Sequence, residues 1–270
     1  MIRLIGAELF KLRRRRMTKI LLYVLLGVLL IMALILLAIA RLTQTELGLP
    51  MAIPVALSVL SSLGTVLAVI LTASSIGSEY SWRTIRTMLT ASESRARLLG
   101  AKLISAITVI LIGMVIGVAA GFVMTLITTA IGGQTLDFSF ATAGYMWEDF
   151  SHFWRVFYVM LPYISLAFLF SVIGRSAMPG IAMGIGLLFF EPIVSGFMRL
   201  AGGWIAEVPD FLLNRNVNVI IALGELPPGL GSGPIGETAS VVNAAIVLAV
   251  YSVTSIALAF YLFRRRDITG

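Results

Sequence analysis

ILLYVLLGVLLIMALILLAIA, residues Ile20–Ala40, is an apolar run without a charged side chain. The hydrocarbon core of a bilayer, about 30 Å thick, takes roughly 20 helical residues, and this run has that length. The basic stretch Met1–Lys19 before it resembles a secretory signal only superficially. The run is too long for a signal h-region, and no A-x-A cleavage site follows it. It reads as a retained first span, nearly pure aliphatic, with lipid on much of its surface.

Outward from this run the pattern repeats. The chain has 270 residues, 59% hydrophobic and 12% charged, with mean hydropathy +1.01. Soluble domains carry about 25% charged residues, so this is an integral membrane protein. Spans are predicted over Ile20–Ala40, Ala56–Ile76, Leu103–Ile131, Phe153–Ile173, Ile181–Met198 and Val241–Phe263. In lipid the backbone must satisfy its own hydrogen bonds, which leaves helices or a closed barrel. The alternating segments of about ten residues that a barrel needs are absent. The fold expected is all-α, a single transmembrane domain over 1–270 with six spans.

Lys and Arg set the orientation. Seven precede the first span and five lie in 77–102, joined by Arg175 and Arg264–Arg266; the other side has only Arg41, Arg155, Arg199 and Arg215. The excess predicts that both termini are cytoplasmic. It also accounts for the net charge of +7 without nucleic acid as a partner. Residues 1–19 carry Ile2, Ile5, Leu9 and Leu12 at helical spacing, with Glu8, Lys11 and Arg13–Arg16 on or beyond the other flank. Such a helix lies in the membrane interface, its arginine run among anionic lipid headgroups. On the outer side 199–238 forms a long loop, re-entrant in one reading, whose middle (Phe211–Leu223) is apolar enough for a short helix.

The chain lacks G-x-x-x-x-G-K-[ST] and so cannot hold a nucleoside triphosphate in the P-loop manner. With no Cys, one His (His152) and no H-E-x-x-H, it offers no thiolate chemistry and no zinc protease site. His152, next to Phe153 and Trp154 at an outer helix end, reads as an interfacial surface residue. A membrane enzyme is thereby disfavoured.

The polar segment GSEYSWRTIRTMLTASESRARLLGAK, Gly77–Lys102, interrupts the apolar chain. Trp82, Ile85, Met88 and Leu89 fall on one helical face, and Arg83, Arg86, Thr87 and Thr90 on the other. Thr90 and Glu93 have capping-box spacing, which predicts a second helix through Lys102 into the third span. Helix, break, helix suits contact with a cytoplasmic partner; an ordinary basic loop is the alternative.

This segment resembles the signature of ATP-binding-cassette (ABC) type-2 transporter permeases. There a span ends in E-Y, followed by G-T-x-R, P-x-S-R and A-K at the head of the next span. The chain has Glu79-Tyr80, Thr84 and Arg86, Ser94-Arg95 and Ala101-Lys102 in that order, with Arg83 in place of Gly and Ser92 in place of Pro. Glu8 and Lys11 before a basic run, and Phe263 to Asp267 at the end, extend the likeness along the whole chain. The resemblance implies a permease subunit of an exporter in a prokaryotic plasma membrane, without an ATPase site or cofactor of its own. It implies pairing with a second copy or related permease and with cytoplasmic ABC ATPase subunits that hold ATP and Mg. Glu79, Tyr80, Arg83, Thr84, Arg86, Ser94, Arg95 and Lys102 would form the ATPase-coupling interface around a cytoplasmic coupling helix. Lys102 has a second reading as a snorkelling anchor.

The spans add weaker signals. Ser58, Ser61, Thr65, Thr72 and Ser75 form a hydroxyl stripe, either lining a translocation path or packing helices. Gly113, Gly117 and Gly121 make a double G-x-x-x-G, a close-packing face within one subunit or between two. Glu191 is the one acid inside a predicted span, followed by Pro192. Either the span continues to Met198 and Glu191 binds substrate or a proton, or the helix stops near Phe190 and Glu191 is a structural hinge. The second alternative suits the resemblance. A secondary transporter or channel working through Glu191, and a non-transporting anchor or sensor, are the rival functions.

Overall fold

The computed structural model describes residues 2–43, 49–81, 95–133, 138–223 and 240–265, and these are helical with short turns. α1 (Ile2–Arg14) and α2 (Arg16–Thr43) meet at Arg15. The second span opens with a 3-10 turn at Leu49–Met51, continues as α3 (Ala52–Val59), passes through a π turn at Leu60–Gly64 and ends as α4 (Thr65–Ser81). α5 (Arg95–Ile131), α6 (Ala143–Gly174) and α7 (Ala177–Ala201) follow. A 3-10 stretch at Gly203–Phe211 leads to α8 (Leu213–Ile221) and then to α9 (Val241–Arg265).

Six helices are long and apolar enough to cross a membrane, as the hydropathy predicts. The shortest, α7 and α9, have 25 residues each. At 1.5 Å per residue that is about 37 Å, more than the roughly 30 Å of hydrocarbon. The second span and α6 form the centre of the bundle. In their most apolar stretches 61% and 67% of residues are buried, against 17% in α2 and in α7. α2 accordingly leaves Ile31, Leu34 and Ile35 exposed, as its aliphatic sequence predicts.

The second span packs on different neighbours along its length. Up to the first residue of the π turn, Ala56 and Leu60 meet α5; beyond the turn, Val69 and Ala73 lie against α7. A π turn adds one residue to the helical repeat and re-aims the face that follows. At one end of the bundle Ile76, Leu99, Leu103, Val172 and Phe263 share a cluster, so α4, α6 and α9 end where α5 begins. At the other end Leu213, Val219 and Ile220 of α8 pack on Ala244 and Leu248 of α9.

The fourth span starts earlier than predicted, and the fifth follows one of its two alternatives. α6 begins at Ala143, well before Phe153, because Thr142 is extended and its hydroxyl accepts from the amide of Tyr145; a Thr N-cap outweighs the polar composition of the next turns. α7 takes the continuing alternative and not the stop near Phe190, running through Pro192 to Ala201. Proline is tolerated inside spanning helices because neighbouring groups compensate the lost hydrogen bond. The stop comes instead at Gly202 and Gly203, with φ of +69° and +60°, a backbone region open to glycine. The short helix expected within Phe211–Leu223 is α8.

Candidate functional site

The predicted coupling residues run in the sequence from the last turn of α4 to the first turns of α5. Residues 82–94, with Arg83, Thr84, Arg86 and Ser94, lie outside the described residues. Glu79 and Tyr80 fall in the last turn of α4 and Arg95 opens α5, but the side chains of these three also lie outside. Lys102, one turn and more into α5, is described in full.

Lys102 is 4% exposed, and its Nζ donates to Glu8 Oε2 of α1 at 3.1 Å. Lys11 Nζ stands 3.7 Å from the other oxygen, Oε1. Ser105 Oγ donates to the carbonyl of Ile5 at 3.4 Å, and Arg15 Nη1 to the carbonyl of Ser74 at 3.4 Å. α1 is thereby fastened to the head of α5, and Arg15, which follows α1, to the far part of α4. Its buried side chains are Glu8 and Leu12, so Glu8 is not on the polar flank where helical spacing puts it. A countercharge at hydrogen-bond distance makes that burial tolerable. The ammonium of Lys102 turns into the protein, where a snorkelling lysine would turn away from it.

Beside this site Gly77 lies against the start of α7. A Cβ there would overlap the backbone of Ser176 and Ala177, so only glycine lets the two backbones approach. The turn from α6 to α7 is equally tight: Arg175 takes a left-handed conformation (φ 50°) and the Ser176 hydroxyl accepts from the amide of Met178.

The other residues singled out in the sequence lie elsewhere. Four hydroxyls of the stripe bond their own helix: Ser58 donates to Val55 O at 2.8 Å, Ser61 to Ser58 O at 3.1 Å, Thr65 to Ser61 O and Ser75 to Thr72 O at 2.7 Å; that of Thr72 is buried without a partner. Thr65, Thr72 and Ser75 are buried, which fits packing. Gly121 and Gly117 pack within the subunit, against Ala56 of α3 and against Leu60 and Leu25 respectively, whereas Gly113 has open space beside it.

Glu191 is buried, and its Oε1 accepts from the backbone amide of Asn214, with the amide of Leu213 also directed to the carboxylate. Those amides are the first two of α8, which has no side-chain cap of its own. The carboxylate thus caps α8 from another helix, an arrangement favoured by unsatisfied amides and the helix dipole. Asn216 Nδ2 donates to the carbonyls of Asp210 (3.0 Å) and Leu212 (2.6 Å), and Arg215 pairs with Asp210.

His152 is buried, contrary to the surface position expected: α6 starts at Ala143, so His152 lies within the helix and not at its outer end. Its Nε2, Asp149 Oδ2 and Arg155 Nη1 are buried without hydrogen-bond partners. Among the described residues no three His, Asp or Glu side chains are grouped to hold a metal. Sequence reasoning missed the Glu8–Lys102 pairing, for which its only signal was a lone acid in a basic helix.

Six apolar helices, of which the second and fourth are the most buried, define a polytopic helical membrane protein. Residues 43–269 match the family described as protein of unknown function (DUF2705), and the chain belongs to that family. No curated protein matches it.

Proposed function

We propose that this chain is the transmembrane permease subunit of an ABC exporter, moving its substrate by alternating access driven by ATP hydrolysis on a separate subunit. The observation that carries this reading is the ordered series Glu79-Tyr80, Thr84, Arg86, Ser94-Arg95 and Ala101-Lys102 between the second and third spanning helices. Support comes from the Glu8–Lys102 pair, which holds α1 at the Lys102 end of that series, and from Arg15, just past α1, which bonds Ser74 ahead of its other end. In this reading α1 lies in the cytoplasmic interface of a prokaryotic plasma membrane, and both termini are cytoplasmic. Residues 77–102 form the coupling segment that receives the motion of the ATPase, which binds ATP and Mg. Two permease copies pair over two ATPase subunits, and this chain performs no covalent chemistry.

The test is co-purification of the tagged chain with P-loop ATPases encoded beside its gene, followed by ATP-driven transport in proteoliposomes. The reading expects a stable complex whose transport falls at least about tenfold, a coupling loss of roughly 1.4 kcal/mol, in Glu79→Ala, Arg86→Ala or Arg95→Ala. It fails if no ATPase copurifies, or if all three variants transport as the parent does.

A further inference from the structure

A cavity of about 1120 Å³ lies between α1, α2, the second span and α5, larger than the roughly 300–1,000 Å³ of ordinary small-molecule pockets. Its walls are aliphatic, including Leu25, Leu60, Leu71 and Met114. Gly113 widens it, with nothing within 4 Å of where a Cβ would stand. On one flank the lining residues Ile112 and Ile116 are exposed, so the cavity opens sideways at the depth of lipid tails.

At the α1–α2 end the lining changes to Arg13, Arg14, Thr18 and Lys19. Thr18 Oγ1 is buried and has no hydrogen-bond partner. Among the described residues no acidic side chain lies within ion-pair distance of Arg13, Arg14 or Lys19. Arg14 stacks over the ring of Phe10 at 4.8 Å, while Arg15 is turned away to Ser74. The arginine run is therefore divided between a structural contact and a cavity mouth.

The geometry points to a binding site for one anionic phospholipid. An acyl chain occupies the aliphatic cavity, and the phosphate sits against Arg13, Arg14 and Lys19. Moving a tail from bilayer to cavity exchanges one apolar medium for another, so selection rests on the headgroup. Each basic side chain near an anionic surface strengthens binding roughly fivefold. Three of them, screened by salt, predict a preference on the order of tenfold or more for anionic over zwitterionic lipid. The site does not depend on the permease reading.

The purified full-length protein in detergent micelles is titrated with dioleoyl phosphatidylglycerol or dioleoyl phosphatidylcholine, and retained lipid is counted by native mass spectrometry. Phosphatidylglycerol is expected to be retained, with the preference abolished when Arg13, Arg14 and Lys19 are all replaced by Gln. Gly113→Phe should expel the lipid while the thermal midpoint stays near that of the parent, because the ring enters open space. Should that variant not fold, Gly113→Leu takes its place with the same expectation. Equal retention of the two lipids, a preference that survives the triple variant, lipid that persists despite a filled cavity, or displacement by inorganic phosphate alone would each overturn the proposal.

Discussion

Lys102 Nζ and Glu8 Oε2 lie 3.1 Å apart across 94 residues of chain. Removing one member of a buried ion pair leaves the other charge uncompensated, which costs about 3–5 kcal/mol. Glu8→Ala should therefore lower the thermal midpoint sharply, and Glu8→Leu combined with Lys102→Leu should recover most of the loss. Circular dichroism melts in detergent check this; a double variant as unstable as the single one would refute the pairing argument. Glu191 carries the second prediction at this scale. Losing an N-cap costs about 1 kcal/mol, so Glu191→Ala should raise hydrogen exchange at the amides of Leu213 and Asn214. Glu191→Gln, which keeps one acceptor oxygen, should do so less. Glu191 stands out in the sequence as an acid in an apolar run, but its partner is 23 residues further on. Helical periodicity does not reach that far, and it likewise put Glu8 on the wrong flank.

At the scale of elements, Gly113, Gly117 and Gly121 look equivalent in the sequence. In the bundle they are not: a Cβ on Gly121 would stand 2.7 Å from the Cβ of Ala56, while one on Gly113 meets nothing within 4 Å. Gly121→Leu should cost on the order of 1–3 kcal/mol by overpacking, with Gly113→Leu close to neutral; the same detergent melts measure both. Gly77 makes a parallel case. Gly77→Ala requires α4 and α7 to separate and should destabilise by a similar amount, on the order of 1–3 kcal/mol, since backbone cannot give way as a side-chain tip does. Hydropathy located all six spans, but it missed the early start of α6 and left open whether α7 continues past Pro192. Those ends depend on a capping hydroxyl and on two left-handed glycines, which a sum over apolar residues does not register.

For the whole molecule, the absence of Cys makes the arrangement of ends testable by introduced thiols. Ile2 is 87% exposed at the α1 end, and Ala141 is exposed at the end where α6 begins. Ile2→Cys and Ala141→Cys should react with a membrane-impermeant maleimide from opposite sides: Ala141→Cys in intact cells, Ile2→Cys only after lysis. Labelling of both from one side would contradict the six-span order. The sequence by itself determined membrane residence, helicity and the number of spans, because transfer into lipid adds residue by residue and leaves the backbone no other way to satisfy itself. Only the tertiary structure decided that Lys102 faces Glu8, that Glu191 caps α8 and that Arg13 and Arg14 open onto a cavity. Each of these joins groups far apart in the chain, and which groups meet is set by how the helices pack.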